Sequence, residues 1–256
     1  MRNTCEIGEK RITLCVGVRK DIMRKLRSLP EGYPFGYVDL EISSERFAAA
    51  AKVLGRMVNE GVIQRSSPGV YFKPKETSFG PARLSEEIIV RTYLFRNGKR
   101  CAYITGLGLF NRMGLTTQVP KVLQVASFDR RISAEVGNLR LKPVKSYVRV
   151  TDRNIVLLEI LDVIKEFKNI PDIEPRIAIK FLRKKLNQLQ ANKVSEMVEV
   201  ALKYPPRVRA MLGALLSVER PDINIGRLRA SLHPLSKYDF GLSEADLAKA
   251  KEWKLF

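Results

Sequence analysis

The chain has 256 residues, 45% of them hydrophobic and 29% charged, with 46 Lys and Arg against 27 Asp and Glu for a net charge of +19. That composition is ordinary for a soluble globular protein. Every apolar run is broken by charge well before the roughly 20 residues of a membrane span, and the opening MRNTCEIGEKR lacks an apolar signal core, so a cytoplasmic chain with no membrane partner is expected.

Residues 1–15 are polar and mixed, and read as a loosely ordered arm. From Val18 to Leu29, the apolar residues Val18, Ile22, Leu26 and Leu29 recur at spacings of three and four, which is one face of a helix ended by Pro30, Gly32 and Pro34. FGYVDLEI follows as a brief helix or an extended piece. The next helix starts at Ser43 or Ser44, runs to Asn59 and stops at Gly61. Its inner side is expected to hold Phe47, Ala50, Leu54, Met57 and Val58, and its outer side Glu45, Ala48, Ala49, Lys52, Arg56 and Asn59. VIQR and GVYF, separated by SSPG, read as a β-hairpin. The order helix, short element, helix, hairpin is that of a winged helix-turn-helix.

TSFGPA, after Pro74, reads as a link between domains. Residues 83–96 look helical. RCAYITG reads as a strand, GLGLFNRMG as a short helix, TTQVP as a loop, and KVLQVASF, RRISAEV and LRLKPVKSYVRV as strands. From Ile155 to Phe167 the chain is apolar nearly all round, a buried helix, and further helices are expected near 175–190, 193–203 and 206–217. The expected fold is α+β: an N-terminal winged helix-turn-helix over 1–77, a basic mixed α/β domain over 78–150, and a C-terminal helical region over 151–256.

Charge distribution says more than its total. Residues 1–80 carry 14 basic and 9 acidic side chains, 81–150 carry 13 and 4, and 151–256 carry 19 and 14. A phosphate backbone is the commonest partner of such a cationic surface; the alternative is an acidic protein bound by the basic middle domain and the helical region, with the winged helix as a scaffold. On a helix-turn-helix the outward side of the second helix meets base edges, which selects Ala49, Lys52, Arg56 and Asn59, with Ser43, Ser44 and Arg46 near its start. Arg65, Lys73 and Lys75 on the hairpin suit backbone contacts with double-stranded DNA.

Catalytic and metal chemistry find little support. Cys5, Cys15 and Cys101 form no C-x-x-C pair, and the single histidine, His233, stands in SLHPL with no ligand neighbour. GLGLF lacks the third glycine of a phosphate-binding loop, with Asn111 in its place. No catalytic site, metal or cofactor is expected. Gly106 and Gly114 read as turn or helix-end positions, and Thr116, Thr117 and Gln118 as groups that pin a loop.

Residues 103–120, YITGLGLFNRMGLTTQVP, resemble the AbiEi-like antitoxins, a family of bacterial transcriptional regulators. The matching positions are Tyr103, Thr105, Gly106, Gly114, Leu115, Thr116, Thr117, Gln118, Val119 and Pro120. The resemblance extends to LGRMVNEGVIQRSSPGVYFKPK, to Lys168-Asn169-Ile170-Pro171-Asp172 and to the stretch Tyr204–Ala210. It implies a winged helix that binds inverted repeats in its own promoter and represses a two-gene operon. It also implies a following domain that opposes a nucleotidyltransferase-like toxin in a type IV toxin-antitoxin, or abortive-infection, system. Residues 1–15 depart from the simplest family pattern as an added arm, and the SSPG wing tip carries no basic residue.

Overall fold

The computed structural model describes residues 17–77, 80, 81, 85–96 and 98–255; the expected arm, and with it Cys5 and Cys15, lies outside the described residues. The chain is mixed α+β and divides into two compact units, one of residues 1–99 with 134–139, the other of 100–133 with 140–256. Expected boundaries at 77/78 and 150/151 are not where it divides. The physical reason is a shared core: Tyr103, Leu109, Phe110, Leu115 and Ala126 from the middle segment are buried in one cluster with the helices that follow residue 151.

The first unit begins with helix α1 (17–28), whose buried residues are Val18, Ile22 and Leu26, the stripe its spacing predicts. FGYVDLEI proves to be part strand, part turn. Strand β1 (Pro34–Phe35) is followed by a turn closed by the Gly36 N–H donating to Asp39 Oδ2 at 2.7 Å. A single 3-10 turn (Ser44–Arg46) leads into helix α2 (Phe47–Asn59). Strands β2 (Gln64–Ser67) and β3 (Val70–Phe72) form the expected hairpin, with Arg65 opposite Tyr71 and a bulge before Ser67. β1 adds antiparallel to β3, pairing Phe35 with Tyr71, so the sheet order is β1-β3-β2. Phe35, Leu40, Ile63 and Tyr71 complete a core with α1 and α2.

Part of the expected link is a small ribbon, β4 (Glu76–Thr77) antiparallel to β5 (Gly80–Pro81); residues 78, 79 and 82 lie outside the described residues. Helix α3 (Glu86–Leu94) is capped by Ser85, whose hydroxyl accepts the Ile88 N–H, and is followed by the short strands β6 (Phe95–Arg96) and β7 (Lys99–Arg100).

The second unit opens with strand β8 (Ala102–Thr105) and helix α4 (Leu107–Arg112). Strand β9 (Val122–Ser127) runs antiparallel to β8. The chain then returns to the first unit as strand β10 (Ala134–Val136), where the Asn138 N–H donates to Glu86 Oε1 at 2.7 Å. Strand β11 (Leu139–Lys145) comes back parallel to β9, Leu141 opposite Leu123. Parallel neighbours need a long crossover, and this excursion supplies it.

Four helices follow at the expected places: α5 (Ile155–Lys165), α6 (Pro175–Asn187), α7 (Ala191–Ala201) and α8 (Pro206–Glu219). α8 is the central one, with Val208 and every residue from Ala210 to Leu216 buried. α5 stops at Lys165 and gives way to a 3-10 turn at Phe167–Asn169. Helix α9 (Gly226–Ala230) and the C-terminal segment wrap α8, and Trp253 is buried.

One clasp of that segment titrates. Asp246 Oδ2 accepts the Ser243 hydroxyl at 2.7 Å and its N–H at 2.9 Å, while Oδ1 accepts Arg176 Nε at 2.9 Å. The Ser243 hydrogen bonds, aided by Arg176, hold the carboxyl down from its ordinary 3.8 to about 2. A depressed folded-state pKa stabilises fully above the unfolded value and is lost as pH falls through the folded one. Acid unfolding monitored from pH 5 to pH 2 is therefore expected to show Asp246→Asn converging with wild type as the pH nears about 2. A constant difference across that range would discount the clasp.

Candidate nucleic-acid interface

Why α2 begins and ends where it does follows from local chemistry. Ser43 is extended, and its hydroxyl makes no capping bond, so the entry turn is held by the Arg46 N–H donating to the Ser43 carbonyl at 3.0 Å. At the far end Gly61 takes φ +74°, a left-handed value that a β-carbon disfavours. The Gly61 and Val62 N–H groups then close on the carbonyls of Val58 and Met57, which turns the chain into the hairpin.

Ala50, Val53, Leu54 and Met57 form the buried side of α2, and Ala48, Lys52, Arg56 and Asn59 form an exposed strip along the other. Two expectations need correction. Ala49, expected outward, is half-buried against the core, because four residues before Val53 it falls on the flank of the buried side. Phe47, expected inward, is 48% exposed, and its ring lies 4.2 Å from that of Tyr37. The Tyr37 hydroxyl is 3.5 Å from that of Tyr71 on β3, whose ring stacks on Phe35 at 6.1 Å. Burial and the Tyr37 contact push the Tyr71 hydroxyl up to about 12.

Ion pairs sort the basic residues into braces and free cations. Arg46, expected to face DNA, instead donates to Asp21 of α1 at 2.9 Å. Arg19 grips Glu60 through two bonds of 2.9 and 2.7 Å, which hold the Glu60 carboxyl below the usual carboxylate range and raise the guanidinium. α1 is thereby tied to α2 just before its start and just after its end. Among the described residues Lys52, Arg56, Arg65, Lys73 and Lys75 form no ion pair, and all but half-buried Lys73 are exposed. Ser43, Ser44 and Asn59 are exposed as well, with Glu45 the acidic exception near the helix start.

The motif residues of the second unit act within the fold. Tyr103 and Thr105 both donate to Asp162 Oδ2 of α5, at 2.8 and 2.6 Å, and Asp162 is only 2% exposed. Burial and then the Asp162 charge raise the Tyr103 hydroxyl far above its ordinary value, and the same causes raise Tyr204. Gly106 has φ +61° and ψ −142°, a conformation essentially restricted to glycine, and a β-carbon there would stand 2.5 Å from Gln124 Oε1. Gly114 ends α4, with its N–H on the Asn111 carbonyl. The Gln118 N–H donates to Thr116 Oγ1, and Gln118 Nε2 donates to Asp172 Oδ2 at 2.9 Å, which joins two segments of the family resemblance. Thr117 is exposed and Pro120 buried.

Sequence reasoning missed Asp162, since it lies inside an apolar run and its partners lie 57 and 59 residues away. Among the described residues no cluster of His, Cys, Asp and Glu is placed to hold a metal, and Cys101 Sγ accepts the Arg130 guanidinium at 3.5 Å. His233 is exposed, its Nδ1 accepting the Leu235 N–H at 3.2 Å. No helix of the described residues is long and apolar enough to cross a membrane.

No family model matches the sequence, and no curated protein matches it. Among solved structures, the RV2827C protein from Mycobacterium tuberculosis matches 86% of this chain and 83% of its own, at 12% identity and a TM-score of 0.38.

Proposed function

We propose that this protein is a DNA-binding transcriptional regulator whose first unit is a winged helix-turn-helix with α2 as the recognition helix. The observation that carries this reading is the strip Ala48, Lys52, Arg56 and Asn59, exposed along one side of α2 while the opposite side is buried on α1 and the sheet. Small Ala48 permits close approach, Lys52 and Arg56 match guanine N7 and O6 or phosphate, and Asn59 matches adenine. Arg65, Lys73 and Lys75 supply backbone contacts, and Arg46 braces the helix instead of touching DNA. The resemblance of residues 103–120 to AbiEi-like antitoxins further supports an operon autorepressor that opposes a nucleotidyltransferase-like toxin. The protein acts by binding, in the cytoplasm, without a cofactor.

Lys52→Ala combined with Arg56→Ala is expected to abolish preference for the protein's promoter over random duplex, with an unchanged circular-dichroism spectrum. Wild-type affinity is expected to fall steeply between low and physiological salt, because released counterions drive the association. A gel shift in which the double variant selects the promoter as wild type does would remove α2 from the recognition role.

A further inference from the structure

We propose that Phe47 recognises the 5-methyl group of thymine, so that a T·A pair facing the first turn of α2 is a determinant of the bound site. The inference rests on the reading of α2 as the recognition helix and adds the base chemistry that the basic residues do not supply. Phe47 occupies the first turn of α2 and leaves nearly half its surface exposed, although Ala50, Val53, Leu54 and Met57 already cover the core. It does not swing freely. Tyr37 backs the ring at 4.2 Å, Tyr37 meets Tyr71 hydroxyl to hydroxyl, and Tyr71 is buried in the sheet. The result is an apolar surface held rigid from behind, at the end of the helix whose side chains reach base edges in this kind of motif.

Among the described residues Glu45 is the acidic neighbour of the ring in sequence, and it is exposed. Ser43, Ser44 and Ala48 are small and exposed, and Lys52 lies just over a turn away to draw in the polyanion. A phenyl group offers no donor or acceptor, so it leaves the polar major-groove edges of guanine, adenine and cytosine unsatisfied. Thymine alone presents a methyl group there. The exposed phenyl ring and the thymine methyl are complementary apolar surfaces.

The test uses full-length protein and duplexes that it selects from a randomised pool, resynthesised with deoxyuridine in place of thymidine at each selected position. That exchange removes only the methyl group. Wild type is expected to lose about fourfold in affinity at the contacted thymine, the worth of one buried methyl. Phe47→Ala is expected to bind the thymidine and deoxyuridine duplexes equally. Phe47→His, which keeps a ring on Tyr37 but makes its edge polar, is expected to do the same, and carries the test if the alanine variant does not fold. Equal binding of both duplexes by wild type, with selection still dependent on Lys52 and Arg56, would overturn this inference alone. A pool with no selected sequence would overturn the regulator reading and this inference with it.

Discussion

Asp162→Ala is expected to lower stability by about 4 kcal/mol, read as a drop of roughly 10 °C in Tm by circular dichroism. The carboxylate is the shared acceptor for the Tyr103 and Thr105 hydroxyls, and all three side chains are buried. A buried donor left without a partner costs about 1–3 kcal/mol, and two are orphaned together, next to the space the carboxylate vacated. Lys165, whose ammonium sits 3.6 Å from Oδ1, loses a partner as well. Asp162→Asn keeps an acceptor oxygen and is expected to lose less than half as much. Replacing the whole set, Tyr103→Phe with Thr105→Val and Asp162→Leu, is expected to recover most of the loss, since the two hydroxyls leave with their acceptor and Lys165 keeps Glu166 at 3.5 Å. An alanine variant within about 1 kcal/mol of wild type would mean that the hydroxyls find other acceptors.

Gly213→Val is the second large effect. A β-carbon at Gly213 would lie 2.2 Å from Trp253 Cζ3 and 2.3 Å from Cη2, far inside contact distance. Neither side yields easily. Gly213 is in the middle of buried α8, and the indole is 3% exposed with the Arg229 guanidinium 4.8 Å from its ring centre. The ring is expected to leave its seat, costing about 3 kcal/mol. Trp253 is the only tryptophan of the chain, so its fluorescence reports the event directly, shifting to longer wavelength as the indole meets water. Gly213→Ala provides the sharper discriminator. Helix propensity alone would reward it by about 1 kcal/mol, so a stabilised alanine variant would place the indole elsewhere.

These sites also show where sequence reasoning stops. The helices after residue 155 were legible because their apolar spacing is strong and Pro171, Asn192, Pro205 and Pro206 punctuate them. The β2–β3 hairpin was legible from alternation on either side of SSPG. Asp162 was not, because periodicity marks a polar residue as outward and says nothing about a hydroxyl pair more than fifty residues upstream. Phe47 and Ala49 were placed on the wrong sides for a related reason: a wheel gives angles, whereas Tyr37 and α1 decide which flank is covered. Of the proposed contact residues, Lys52, Arg56 and Asn59 sit where the wheel puts them. Arg46 does not, since its partner Asp21 belongs to another helix and is invisible to local spacing.

Residues 134–139 belong to the first unit although both their flanks belong to the second. The polypeptide therefore passes between the units three times, and no single cut gives two intact pieces. A fragment ending at Lys99 would lack the Asn138 amide that engages Glu86. On the ribosome, where domains form as they emerge, the leading unit stays incomplete until its last strand has been made. By then β8, α4 and β9 are already outside, so the leading unit closes only after part of the second has emerged.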